Sequence, residues 1–155
     1  MFTSKLLMSG LMALGLALAP LGAVAAEPHA HAATVEIKLD DGKKWPTDAV
    51  LRRGMEEIRL AMADAVTPIH RNEFSPAAYA ALAARVQAQV DDVVANCQLP
   101  EEADQQLHIV LEQILDGIAA MKSETARPQG AVKLVQALDL YGTHFEHAGW
   151  QPLMH

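Results

Sequence analysis

The chain of 155 residues has a single cysteine, Cys97, so an intrachain disulfide is excluded. Aromatic residues make up only 5% of it, and no apolar run beyond residue 26 is long enough to cross a bilayer. Basic residues are the minority, with 12 Lys and Arg against 19 Asp and Glu, which gives a net charge of -7. This balance argues against nucleic acid and anionic lipid as partners.

Catalytic signatures are also missing from the sequence. It has no His-Glu-x-x-His zinc helix, no Gly-x-Ser-x-Gly nucleophile elbow and no glycine-rich phosphate loop. No histidine follows a glutamate by three residues, so the ligand pattern of di-iron bundles is absent as well. The sequence therefore predicts a protein that is not an enzyme.

The first 26 residues have the pattern of a secretory signal peptide. Lys5 is the only charged residue before Glu27, and between them a leucine-rich apolar run ends in small residues at positions 23–26. A positive head, an apolar middle and a small-residue exit predict cleavage at the end of that run. A retained membrane anchor is the alternative, and it is disfavoured because Pro20 and Gly22 interrupt the run. We expect export to the periplasm, with no membrane attachment after cleavage.

Residues 27–46 are predicted to be a flexible to extended segment in front of the folded domain. Val35, Ile37 and Leu39 alternate with other residues before Asp41-Gly42, which is the pattern of a short extended stretch and a turn. The domain itself is expected to cover residues 47–155, and nothing in the sequence suggests a second one.

Four apolar stripes with helical spacing follow, and each is bounded by residues that start or stop helices. The predicted starts are Thr47, Ser75-Pro76, Pro100 and the loop with Pro128 and Gly130, and the predicted stops are Pro68, Gly149 and Pro152. Amphipathic helices with short connections bury their stripes most simply against one another. The sequence therefore predicts an all-α fold, an antiparallel up-and-down four-helix bundle.

This topology brings one end of every helix to the same pole of the bundle: the start of the first and third helices and the end of the second and fourth. Within about two turns of that pole lie four side chains that bind soft metals, namely Met55, Cys97, His108 and His144. Asp104 precedes His108 by one turn and is placed to hold its second ring nitrogen. Sulfur and imidazole donors together favour copper or haem iron over magnesium or calcium.

Each of these residues also has an ordinary structural interpretation. Methionine in an apolar stripe is usually flexible core filling, and a lone buried cysteine usually packs as a small hydrophobic residue. Trp45 and Trp150 are expected to close the same pole with their indole N–H groups in water. A cofactor-free bundle that binds a partner protein through this tryptophan end is therefore one open interpretation.

The residues near the pole resemble those of the periplasmic four-helix cytochromes, above all the cytochrome b562 family. In that family an axial methionine comes from the first helix and an axial histidine from the last, and Met55 and His144 occupy the corresponding places. The resemblance implies a haem b electron carrier. The related cytochromes c′ carry a Cys-x-x-Cys-His attachment site, which this chain lacks, so covalent haem is excluded.

Three further segments, residues 44–48, 96–100 and 144–150, resemble exported bacterial proteins labelled DnrO, a label that implies no activity. The leading prediction is a periplasmic binding protein for haem or a soft metal ion such as copper, with its site at the pole of Met55, Cys97, His108 and His144. The alternative is a haem b carrier that uses Met55 and His144 alone. A redox or metal-transfer protein is the expected partner, and a homodimer linked through Cys97 stays open.

Overall fold

The computed structural model describes residues 36–154, and these form four α-helices without any extended strand. α1 spans Ala49–His70, α2 spans Pro76–Asn96, α3 spans Glu101–Lys122 and α4 spans Arg127–His144. The helices contact one another in ring order, with the most extensive contact between α3 and α4 and the least between α1 and α4. The predicted all-α four-helix bundle is confirmed.

The predicted signal peptide, and the residues that follow it up to position 35, lie outside the described part of the chain. Among residues 36–154, no helix is long and apolar enough to span a membrane. The turn predicted at Asp41-Gly42 is present, because both residues have positive φ angles and Asp40 and Lys43 pair across it.

The start of α1 is set by a different residue from the one expected. Asp48, and not Thr47, is the cap: its Oδ1 accepts a hydrogen bond from the backbone N–H of Leu51 at 2.7 Å. Thr47 instead donates its hydroxyl proton to the carbonyl oxygen of Glu146. Aspartate and threonine are both good helix caps. Asp48 is the cap here, and the Thr47 hydroxyl instead bonds to Glu146, which is distant in sequence.

Proline and serine mark the connection between α1 and α2. The expected stop at Pro68 is wrong by part of a turn, since α1 continues to His70. A proline this close to the end of a helix removes one backbone donor without preventing the last residues from staying helical. Ser75 caps α2 as predicted, with its hydroxyl oxygen accepting from the N–H of Ala78 at 3.1 Å.

The last helix ends earlier than expected because the chain in front of α1 pairs with it. α4 stops at His144, short of the predicted stop at Gly149. There the N–H of Trp45 donates to the carbonyl oxygen of His144 at 2.7 Å, and the N–H of Glu146 donates to the carbonyl oxygen of Trp45 at 2.8 Å. This short parallel bridge between Trp45 and Phe145 joins the segment before α1 to the end of α4 at one pole of the bundle.

Two glycines account for the close approach of α3 and α4. A Cβ atom on Gly117 would lie 2.9 Å from the carbonyl oxygen of Gly130, and one on Gly130 would lie 2.6 Å from the carbonyl oxygen of Gly117. Both distances are shorter than van der Waals contact, so any larger residue would push these helices apart. Most residues of the predicted stripes are buried in the core, but Leu115, predicted for the buried stripe of the third helix, is 41% exposed. No buried residue of the described chain is charged.

Candidate functional site

A groove with a volume of about 460 Å³ lies at the predicted pole, between the end of α2, the connection to α3 and the first turns of α3. Cys97 and His108 both line it, together with Gln98 and Asp104. Its apolar walls are formed by Val93, Val94, Leu99, Leu107 and Leu111. The structure thus brings two of the four predicted donor residues to one surface.

The other two predicted donors, Met55 and His144, do not line this groove. Met55 has no exposed surface and packs in the hydrophobic core. His144 is half-buried at the last residue of α4, with its Nδ1 2.8 Å from the carbonyl oxygen of Leu140. Whether either residue binds a cofactor stays a prediction.

Residues 36–154 contain no group of three or more His, Cys, Asp and Glu side chains arranged to hold a metal ion. A closed structural site, which would need about four such ligands, is therefore not formed within this part of the chain. The strong donors that the groove offers are one thiol and one imidazole.

Cys97 is half-buried at the C-cap of α2, where its backbone N–H donates to the carbonyl oxygen of Val93 at 2.9 Å. The Asp48 carboxylate reaches it from the start of α1: Oδ2 accepts from the N–H of Gln98 at 2.7 Å, and the thiol lies within hydrogen-bonding reach. Burial, followed by the negative charges of Asp48 and Asp104, raises the pKa of the Cys97 thiol to about 12. At neutral pH this sulfur therefore carries its proton.

The Asp48 carboxylate itself stays ionised despite partial burial. Burial alone would raise its pKa, but hydrogen bonds from the N–H groups of Leu51 and Gln98 and from the Cys97 thiol outweigh it and lower the pKa. Asp48 is not among the residues that the sequence predicts for the site. The available signal was its position, because an aspartate three residues before the first stripe residue Leu51 is a strong cap candidate.

His108 lies in the same groove on the first turns of α3. Its Nδ1 is 2.8 Å from the backbone carbonyl oxygen of Asp104 and 3.5 Å from a carboxylate oxygen of that residue. The predicted pairing with Asp104 is therefore present, with the shorter distance to the backbone. A proton on Nδ1 would satisfy this contact and leave Nε2 as the acceptor or metal ligand.

The tryptophans fill the pole from inside. Trp45 is 9% exposed, and its indole N–H donates to the carbonyl oxygen of Lys38 at 2.5 Å. The expectation that this N–H lies in water is wrong, because the segment before α1 folds over the ring and supplies a backbone acceptor. Trp150 packs edge-on against Tyr141, with ring centroids 4.9 Å apart.

The part of the sequence that forms the groove carries acidic residues and no lysine or arginine, although Arg53 of α1 pairs with Asp92 of α2 and Lys133 of α4 pairs with Asp116 of α3. Between Arg85 and Lys122, a stretch that covers about half of α2 and nearly all of α3, the sequence contains no Lys or Arg, whereas carboxylates recur along both helices. The field of this region favours a cation over an anion as the occupant of the groove.

No protein-family model matches this chain, and neither a curated protein nor a solved structure shows significant similarity to it. The resemblances to cytochrome b562 and to proteins labelled DnrO therefore rest on short segments alone. What the structure shows is a four-helix, all-α bundle.

Proposed function

We propose that this protein binds a soft metal ion, copper in particular, in the groove lined by Cys97 and His108. The observation that carries the proposal is the placement of a thiol and an imidazole on one groove, with the carboxylates of Asp48 and Asp104 near the sulfur. Thiolate and imidazole ligands select copper and similar ions over magnesium and calcium.

The charges near Cys97 favour a metal ion at the sulfur. Burial is the main cause of the raised pKa of the Cys97 thiol, and the negative charges of Asp48 and Asp104 add to it. The same negative charges attract a metal ion bound at the sulfur. Binding then exchanges the thiol proton for the metal ion.

The contacts of the His108 imidazole support a role as the second ligand. Histidine ligands usually donate their second ring N–H to a backbone carbonyl or a carboxylate, and Nδ1 of His108 lies beside both kinds of acceptor on Asp104. With two strong protein donors, a bound ion keeps at least one position for a small ligand or for a donor from another protein. An open site of this kind suits a carrier that receives and passes on its metal in the periplasm.

A haem b group between Met55 and His144 has less support. Met55 has no exposed surface, and beside it α1 meets α2 so closely that a Cβ atom on Gly54 would overlap the side chain of Val93. A porphyrin ligated by Met55 would require these helices to separate. Haem binding is therefore the alternative that the experiment described next must distinguish from copper binding.

The test is a titration of the reduced mature protein with Cu(I) in competition with a chromophoric chelator. We expect stoichiometric binding that weakens by at least roughly tenfold, or about 1.4 kcal/mol, in Cys97→Ser and in His108→Asn. His70→Asn, which changes an exposed histidine at the opposite pole, is the matched control and leaves the affinity unchanged. Equal Cu(I) affinity in Cys97→Ser and the unchanged protein would overturn the proposal. The absorption spectrum of the purified protein tests the haem alternative: a Soret band that is lost in His144→Ala would show haem binding instead.

A further inference from the structure

A second groove, with a volume of about 370 Å³, lies at the opposite pole of the bundle, between the last turns of α1 and the first turns of α4. Of the neighbouring helix pairs, these two make the least extensive contact, which leaves the seam between them open. The groove shares no lining residue with the one that holds Cys97 and His108. Its occupant can therefore be tested independently of the proposed function.

The lining of this groove is apolar inside and polar at the edge. Met62, Ala131 and Val135 line it from the hydrophobic core, and Val132 is 54% exposed beside them. The polar lining residues are all exposed, and they are His70, Asn72 and Gln136. An apolar interior with a few polar groups is typical of small-ligand sites, whose volumes start at about 300 Å³. The groove therefore suits a small ligand with an apolar body and one polar end.

The charge beside this groove favours an anion as the polar end. No described carboxylate lines it, although the chain as a whole is acidic. Arg71 lies between two lining residues in the sequence, and Arg127 precedes a third. Neither forms an ion pair with a described carboxylate, since Arg127 donates to the backbone carbonyl oxygen of Glu124 at 2.9 Å. Glu73 and Glu124 lie in the connections at this pole but do not line the groove.

The net charge of the chain does not conflict with this local preference. A membrane surface meets the charge of a whole face of the protein, whereas a bound ligand responds mainly to the groups next to it. Charges that are farther away than about 10 Å are largely screened at physiological salt. The acidic stretches of α2 and α3 belong to the other groove, so they disfavour an anion there and not here.

We propose that the groove between α1 and α4 binds a medium-chain carboxylic acid, with its alkyl chain on the apolar lining and its carboxylate at the edge near Arg71. The alkyl chain displaces water from Val66 and Ile69, and the gain grows with the apolar area that is covered. The volume suits a chain of about eight to ten carbon atoms. The carboxylate accepts hydrogen bonds from His70 and Asn72, whose side chains bond to no other described residue.

The first test is calorimetric titration of the mature protein with sodium hexanoate, octanoate and decanoate at neutral pH, below their micellar concentrations. We expect the affinity to rise roughly fourfold for each added methylene group, as its burial implies. 1-Octanol has the same chain length as octanoate but no charge, and we expect it to bind at least roughly tenfold more weakly. A protein that binds none of the three carboxylates, or that binds octanol as tightly as octanoate, would overturn the proposal.

The second test places the ligand in this groove. Val132→Asp puts a carboxylate on an exposed lining position, where the fold tolerates it, and we expect it to weaken octanoate binding at least roughly tenfold. Val94→Asp makes the same change at an exposed valine of α2 outside the groove and leaves the affinity unchanged. Equal octanoate affinities in these two variants would assign any binding to another place and overturn the proposal.

The third test concerns the charge at the edge of the groove. Arg71→Gln is expected to weaken octanoate binding by roughly threefold to tenfold, the usual range for one exposed charge, and to leave octanol binding unchanged. Arg85→Gln removes an equally exposed arginine of α2 and changes neither affinity. Equal octanoate affinities in Arg71→Gln and Arg85→Gln would overturn the assignment of the carboxylate to this edge. Concentration-dependent dimers that Val132→Asp dissociates would instead assign the groove to a second copy of the chain and overturn the proposal.

Discussion

The hydroxyl of Tyr141 lies 3.0 Å from Nδ1 of His147, which ties the buried phenol of α4 to the segment that follows the helix. The Tyr141 ring is fully buried and stacks on Phe145, with centroids 5.3 Å apart. Trp150 packs against both Tyr141 and His147. These four rings form a cluster that closes the pole next to the short Trp45–Phe145 bridge.

This cluster predicts that stability falls in mild acid. Burial lowers the pKa of His147 below its ordinary value of 6.5, an effect that Glu56 opposes and that Arg52 and Arg59 reinforce. The folded protein therefore favours the neutral ring, and the unfolded chain binds more protons once the pH falls below about 6.5. The free energy of unfolding, measured in urea, is expected to be constant above this pH and to decrease between pH 6.5 and 5.5.

The acid effect can be assigned to one residue. In His147→Gln, the amide can still bond to the Tyr141 hydroxyl but does not titrate, so the decrease between pH 6.5 and 5.5 becomes smaller. In His70→Gln, at an exposed position, the decrease is the same as in the unchanged protein. Equal slopes in His147→Gln and His70→Gln would contradict this explanation.

Because Gly117 and Gly130 are in close contact, replacing Gly130 by alanine is expected to destabilise the fold, which is the opposite of the usual effect of this substitution in a helix. Glycine to alanine inside a helix normally stabilises by up to about 1 kcal/mol. In Gly130→Ala the new Cβ atom would meet Gly117 and the backbone N–H of Met121, so we expect destabilisation of about 1–3 kcal/mol. Val132→Ala, on the exposed side of α4, is the control and is expected to change stability by less than about 0.5 kcal/mol. A more stable Gly130→Ala would show that α3 and α4 are not this close in solution.

The helices were largely predictable because periodicity and local start and stop signals agree in this sequence. The loop predicted at Pro128 and Gly130 is wrong, because both residues lie in the first turns of α4, where proline is tolerated. Most residues of the four stripes lie in the core, and Ser75 caps α2, because these features depend on residues within one or two turns of each other. The end of α4 could not be predicted in the same way. It depends on Trp45, which lies far away in sequence and pairs with the backbone around Phe145.

The candidate site was predictable only as far as topology determines it. Antiparallel helices place Cys97 and His108 at the same pole, and they line one groove. Met55 shows the limit of this reasoning, because a methionine that binds a metal and a methionine that fills the core occupy the same position in an apolar stripe. In the structure the Met55 side chain is buried among apolar neighbours. Asp48 was not recognised because its contact with Gln98 crosses between distant segments.

The caps of α1 and α2 give a direct test of which residues start these helices. Ser75→Ala is expected to cost about 1 kcal/mol, the usual value for an exposed cap. Asp48→Ala is expected to cost about 2–3 kcal/mol, because the charged hydrogen bond to Gln98 is lost together with the cap. Urea unfolding at pH 7 measures both. Should Thr47→Ala prove more destabilising than Asp48→Ala, the assignment of the α1 cap to Asp48 would be wrong.

The tail after the cluster adds to the packing of α1, although Pro152 led us to expect only a helix stop there. Residues 151–154 line one groove together with Arg59, Ala63, Val66 and Thr67 of α1, and Leu153 belongs to the hydrophobic core. Within this tail Leu153 is 8% exposed, whereas its neighbour Met154 is 95% exposed. Leu153→Ala is therefore expected to lower the free energy of unfolding by about 2 kcal/mol, at the low end of the range for a buried leucine because the edge of the bundle can relax around the gap. Met154→Ala is the matched control, with an expected change below about 0.5 kcal/mol. Equally small changes in both variants would mean that the tail does not pack on α1 in solution.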